Sequence, residues 1–280
     1  MRARAVPPPP APLAPAPGAF LPRGGRPAIV GHRGVRGARP ENTMAAFELA
    51  IREGADAVEL DVRVCGTGEL VVCHDADLKR VAGDRRRVVD LAFCDLARVD
   101  VGAGERVPQL VDVLELCRRH GVGVNVELKR DLPSRPNAVF AAAQLLLAWH
   151  RDHDLIVSSF DPWMLAGLRK LVPHVRTAQL VHRSRYVPVH LAAGRAVGAS
   201  GVHLECSLWT AARLAALRRR ASWIAAWTVV DVPEARRLAA LGADALITDT
   251  PGLVRQALEH DARAAQRQST GTRLTPRGTG

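Results

Sequence analysis

The sequence predicts an α/β chain folded as a (β/α)8 TIM barrel, on three observations. Eight short β-rich runs alternate with helical segments. No internal linker interrupts residues 28–258. The runs and their helices together take about 230 residues, a length that fits one such barrel. An open doubly wound sheet is the alternative, weakened by the lack of a GxGxxG turn after the first run.

In chain order, the strands are expected at Ala28–Arg33, Ala57–Val64, Val124–Lys129, Leu155–Phe160, Arg176–Val181, Gly201–Cys206, Trp223–Val229 and Ala245–Asp249. Helical patterns lie at Thr43–Glu53, Leu110–His120, Ala138–His150, Pro162–Leu171, Leu208–Arg220 and Val232–Leu241, with a weaker one at Pro188–Gly194. Asn42-Thr43 supplies capping residues for the first helix, and Asp161-Pro162 and Asp231-Val232-Pro233 open two others. A further strand, Glu69–His74, follows Gly66-Thr67-Gly68 and pairs with the second run, giving a small hairpin-containing insertion after it. Residues 1–27 read as a disordered Pro/Ala/Arg-rich arm and residues 259–280 as a disordered tail.

Composition narrows the function. The chain has 280 residues and a net charge of +11. Arg2, Arg4, Arg23 and Arg26 stand in the arm without an acid, and four more arginines face only Glu259 and Asp261 in the tail. More than half of the excess therefore sits at the ends. With aromatics at 4%, no basic stripe with interleaved rings is present to read nucleic acid. No apolar run is long enough to span a bilayer, so no stable membrane insertion is expected. Cys65, Cys73, Cys94, Cys117 and Cys206 are odd in number and form no CxxC pair, which suits a reducing cytoplasm. The Pro-Ala stretch Val6–Pro17 does not make the apolar helix of a signal peptide.

The chemistry starts from side-chain alternation along a strand. It puts Glu59 and Asp61 on one face of the second run, and Glu127 and Lys129 on one face of the third. Val58, Leu60, Val126 and Leu128 take the opposite faces, where helices would cover them. Three carboxylates and one ammonium then point into the barrel mouth. A salt-bridge cluster that includes Arg33 is one outcome. A hard divalent cation, Mg2+ or Ca2+, with all-oxygen ligands is the other, because three acids against one lysine leave negative charge over. His32 and His74 flank this cluster and suit an acid and a base. Arg33 and Lys129 suit an anion such as phosphate. Glu41 and Asn42 would cap the first helix or buttress the site.

Together, Gly31-His32-Arg33-Gly34, Pro40-Glu41-Asn42-Thr43, Glu59-Leu60-Asp61-Val62 and His74-Asp75 resemble the glycerophosphodiester phosphodiesterase family. Val126-Glu127-Leu128-Lys129, Ser158-Ser159-Phe160-Asp161-Pro162, Trp227-Thr228-Val229 and Ile247-Thr248-Asp249-Thr250-Pro251 continue the match in order. The resemblance implies a TIM barrel that hydrolyses a small-molecule glycerophosphodiester to glycerol 3-phosphate and an alcohol. It implies Glu59, Asp61 and Glu127 as metal ligands, and His32 and His74 as general acid and base in an order left open. Arg33 and Lys129 would contact phosphate, Glu41 would be a metal-side or site-ordering carboxylate, and Phe160 and Trp227 would line the pocket. Lysophospholipase D-like cleavage of lysophospholipids is the alternative, and Trp149, Trp163 and Trp209 are candidates for the apolar rim it needs. The family's Asn-Gly-Thr-Gly-like turn is replaced by residues 77–84, followed by Arg85-Arg86-Arg87. His203 and Glu205 have no role from the resemblance, and oligomeric state is left open.

Overall fold

Parallel strand pairing closes on itself in the computed structural model, which describes residues 18–132, 134–149 and 154–271. The barrel strands are β1 (Ala28–His32), β2 (Ala57–Val64), β3 (Gly123–Leu128), β4 (Leu155–Ser159), β5 (Arg176–Val181), β6 (Gly201–Glu205), β7 (Trp223–Val229) and β8 (Ala245–Thr248). Each pairs with the next, and β1 pairs with both β2 and β8. A closed barrel leaves no free sheet edge. The expected TIM barrel is what forms.

A helix follows each strand: α1 (Met44–Arg52), α2 (Leu110–His120), α3 (Arg135–Trp149), α4 (Pro162–Leu171), α5 (Val187–Ala196), α6 (Ala211–Arg218), α7 (Val232–Ala240) and α8 (Pro251–Gly271). Local chemistry starts several of them. Thr43, Asp161, Thr210 and Asp231 each accept a backbone N–H of the first turn, satisfying a donor that has no partner inside the helix. Proline occupies the first turn of α4, α5 and α7, where no N–H is needed. The weaker helix expected at Pro188–Gly194 is thus the middle of α5. The single helix expected at Leu208–Arg220 is instead a 3-10 turn, Cys206–Leu208, followed by α6, because Thr210 is extended and caps the second piece. His150, the expected end of α3, lies outside the described residues.

The core has layers. Leu60, Val126, Leu114 and Leu146 belong to one strand–helix layer, and Leu204, Ile224, Leu238 and Leu246 to another. Inside the barrel, small residues dominate: Ala28, Ala57, Ala178, Ala225 and Ala245, with Val30, Ile156 and Ile247. Trp223 needs that room. Its indole lies against Gly201, where a Cβ would sit 2.2 Å from Cε2. Between β2 and α2, Leu70–Val72 runs antiparallel to β2, making the expected hairpin. A second hairpin, Asp77–Leu78 with Asp84–Arg87, was not expected. The insertion has its own small core, which includes Leu78, Val88, Leu91 and Leu96.

Both ends depart from expectation. Residues 18–27, assigned to the arm, pack against the barrel. Phe20 is 2% exposed and joins Ala19 in the interior cluster. The Ala19 N–H donates to the Asp154 carboxylate, and Arg26 Nη1 lies 2.6 Å from Asp56 Oδ2. The physical reason is that the amino ends of the strands leave an apolar floor to cover. At the other end α8 runs through Gly271, past the tail boundary set at 259. Its Ala, Arg and Gln favour helix, and Glu259 pairs four residues back with Arg255 and four ahead with Arg263. Residues 1–17 and 272–280 lie outside the described residues.

Candidate active site

Alternation and register together assemble the carboxylates. Glu59 stands opposite His32, and Asp61 opposite Glu127, all buried on the inner face at the carboxyl end of the barrel. Ligand atoms of Glu59, Asp61 and Glu127 lie within 4.8 Å of one another. Two cations reach the trio. Lys129 Nζ is 2.8 Å from Glu127 Oε1 and 3.2 Å from Asp61 Oδ1. Arg33 Nε is 3.1 Å from Asp61 Oδ2. Asn42 holds Asp61 from behind, donating Nδ2–H to Oδ2 at 2.9 Å and accepting the Asp61 N–H at 3.3 Å.

The charges are unevenly met. Burial would raise the Asp61 carboxyl, but Lys129 and then Arg33 outweigh it and hold it below the usual carboxylate range. Burial, then the charges of Asp61 and Glu127, pushes Glu59 well above that range. Burial, then Asp61, pushes Glu127 up to about 6. A divalent cation would relieve this crowding, and an oxygen-only donor set fits a hard one. Asn125, opposite Glu59 on β3, adds a buried Oδ1 with no hydrogen-bond partner among the described groups. The residues therefore fit a metal.

Each histidine is tied to a carboxylate through Nδ1, which leaves Nε2 for chemistry. His32 Nδ1 lies 2.6 Å from Asp249 Oδ1, just past β8. His74 Nδ1 lies 2.7 Å from Asp75 Oδ1, and Asp75 Oδ2 accepts from Arg80 Nε at 2.6 Å. Burial pushes the His74 imidazole below its ordinary value, and Lys129 and Arg33 add to this against Asp61. Glu41 is not grouped with the other acids. Its carboxylate meets Arg33 at 2.9 Å, Arg80 at 2.6 Å and Arg36 at 3.2 Å. Arg80 comes from the insertion and so joins Glu41 to the His74–Asp75 pair.

Two non-glycine residues of the site have an unusual backbone. Arg33 and Asn42 have φ of 53° and 58°, in the left-handed region that few non-glycine residues adopt. In between, Gly34 has φ +87°, and a Cβ there would sit 2.5 Å from the Ala46 carbonyl carbon. The loop is thereby pressed onto α1, which places the Arg33 N–H 3.2 Å from Glu59 Oε2.

One cavity of about 270 Å3 gathers His32, Arg33, Glu59, His74, Glu127, Lys129, Phe160 and Trp227. Asp61 lies fully buried beneath it. An outer cavity of about 530 Å3 shares His74, Glu127, Lys129, Phe160 and Trp227 as a common wall. Phe160 meets Trp227 edge-on at 5.6 Å and His182 at 5.5 Å. Of the three tryptophans considered for an apolar rim, Trp149 and Trp209 are buried in the strand–helix layers, and only Trp163 is exposed, at 76%. In the sequence, Asp249 and Asp75 stand out only as parts of motifs. The signal for Asp249 is topological, since the strand before it must neighbour β1 in a closed barrel.

A model described as the glycerophosphoryl diester phosphodiesterase family matches residues 32–253. The chain belongs to that family. As a member it is a phosphodiester hydrolase. It is 32% identical over 234 residues to a glycerophosphodiester phosphodiesterase of Bacillus altitudinis, covering 80% of this chain and 94% of that one. It is 29% identical over 230 residues to one from Caldanaerobacter subterraneus, with the same coverage. Among solved structures, an Oleispira antarctica phosphodiesterase in complex with the product sn-glycerol-3-phosphate superposes with a TM-score of 0.76 at 26% identity. That match covers 84% of this chain and 97% of the other. All motifs that carried the resemblance fall within or beside the matched span. Among the described residues, no helix is long and apolar enough to cross a membrane.

Proposed function

We propose that this mouth hydrolyses glycerophosphodiesters to glycerol 3-phosphate and an alcohol, with Mg2+ or Ca2+ held by Glu59, Asp61 and Glu127. The observation that carries the reading is the carboxylate trio, within 4.8 Å, between two histidines that are each tied to an aspartate. The product bound by the Oleispira antarctica relative supports glycerol 3-phosphate as the phosphate-bearing product.

Glu59, Asp61 and Glu127 would hold the cation, which when bound would supply charge to polarise the phosphoryl oxygens. Arg33 and Lys129 hold phosphate oxygens and stabilise the charge that grows on them in the transition state. One histidine takes, through Nε2, the proton of the attacking water, or of the neighbouring glycerol hydroxyl, in which case a cyclic phosphate forms and water opens it in a second step of the same kind. The other gives a proton to the departing alkoxide. Asp249 and Asp75 fix the ring of each and stabilise its protonated form. Phe160 and Trp227 wall the pocket and limit water around phosphorus. The five free thiols support a cytoplasmic setting.

The test is a panel of glycerophosphodiesters and lysophosphatidylcholine, run on chelator-treated enzyme and again with Mg2+ or Ca2+ restored. Glycerol 3-phosphate release that returns only with metal is the expected result. Equal release without metal overturns the metal assignment. Choline release from lysophosphatidylcholine above glycerol 3-phosphate release from glycerophosphocholine overturns the substrate assignment.

A further inference from the structure

The outer cavity carries chemistry that phosphoryl transfer does not use. Its carboxylates are committed: Asp131 to Arg63 at 2.9 Å, Asp75 to Arg80 and His74, and Glu127 to Lys129. Arg63 is committed by the same contact, and Lys129 serves the ester phosphate. Arg130 is different. It is exposed, it lines the cavity, and no carboxylate among the described residues lies within 4 Å of it. Its guanidinium sits 5.8 Å from the centroid of Phe160. His182 packs against the same ring, and His190 lies 6.0 Å beyond His182. Burial, then His182 and Arg130, pushes the His190 imidazole below its ordinary value.

Those contacts decide which alcohol the wall suits. A quaternary ammonium would seek the face of an aromatic ring. Here Arg130 already stands over Phe160 and repels a second cation. An anion finds a guanidinium that has no carboxylate partner among the described residues, over the same ring that His182 packs against.

Resting on the phosphodiesterase reading above, we propose that this wall is the subsite for the alcohol end of the diester. It selects alcohols that carry an anionic group, a carboxylate or a second phosphate, and Arg130 sets the preference. The ester phosphate sits at the wall that the two cavities share, so the alcohol extends into the outer cavity.

Two substrate pairs test this with the metal-loaded enzyme. Glycerophosphoserine and glycerophosphoethanolamine differ by one carboxylate. Glycerophosphoinositol 4-phosphate and glycerophosphoinositol differ by one phosphate. The anionic member of at least one pair is expected to have a kcat/KM about fivefold higher, carried mainly by KM, the size of one partly exposed charge-assisted contact. Which pair responds identifies the anion. In Arg130→Gln the ratio falls to about one, in Arg130→Glu it drops below one, and in Arg130→Lys the preference is retained. A wild-type ratio of one or less in both pairs, or a ratio that Arg130→Glu does not move, overturns the subsite while leaving the phosphodiesterase reading in place. No hydrolysis of any of the four diesters overturns that reading, and the subsite with it.

Discussion

The mouth and the floor of this barrel are built from the same eight strands and hold opposite contents. The mouth gathers Glu59, Asp61, Glu127, Lys129, Arg33 and two histidines. The floor gathers alanines, Ile156 and the side chain of Phe20. Inward-facing positions serve both ends, so alternation does not separate them. Strand polarity does: charged residues stand on the last turns toward the carboxyl ends, and small apolar residues on the first. The floor contributes stability through dry packing, while the mouth spends part of it on like charges held close.

The largest test of that division is Glu59→Gln. It removes the charge of a proposed ligand, so turnover is expected to fall about a thousandfold or more and metal affinity with it. It also removes the group that suffers most from burial and from its two carboxylate neighbours. In chelator the variant is therefore at least as resistant to urea as the wild type. Unchanged metal affinity by calorimetry would count against the ligand assignment.

His32→Ala comes next. It lowers kcat about a hundred- to a thousandfold while metal still binds. Normal turnover at neutral pH would remove His32 from acid/base catalysis.

Phe20→Ala carries the comparison to the floor. Emptying a filled aromatic site costs about 3 kcal/mol of unfolding free energy, read from urea titration. kcat/KM for a glycerophosphodiester stays as in the wild type below the transition. A stable variant would mean that Phe20 does not seal the floor.

The smallest effect belongs to His203, which faces the interior from β6. Burial depresses its imidazole from 6.5 to about 3. The unfolded chain takes up a proton between those values and the fold does not, so stability falls as pH falls through this window. Between pH 8 and pH 5 this one group accounts for about 2 kcal/mol. His203→Leu should therefore flatten the pH dependence of the urea midpoint by that amount, and an unchanged slope would show that His203 takes up its proton as readily in the fold as in the unfolded chain.

Much of the site could be read from the sequence because it rests on alternation within single strands. Glu59 with Asp61, and Glu127 with Lys129, needed only a period of two. Asp249 was harder, since its contact with His32 spans 217 positions and exists only once β8 closes against β1. Arg80 gave no signal, because a short irregular hairpin in the insertion aims it. Composition misjudged both ends. Proline and glycine before β1 hid two residues, Ala19 and Phe20, whose value lies in the hole they fill. Past residue 259 apolar periodicity fades, yet Ala, Arg and Gln with paired charges keep the helix going on local terms.

The contact between Ala19 and Asp154 has a consequence for synthesis. Ala19 leaves the ribosome early, but its partner follows 135 residues later, and the floor it covers is complete only when β8 has paired with β1. The segment before β1 must therefore wait, unburied, while almost the whole domain is made. It then seats as one of the last pieces. A chain expressed from Ala28 onward would form its strands and leave the barrel open below, so a fusion partner or tag belongs upstream of residue 18.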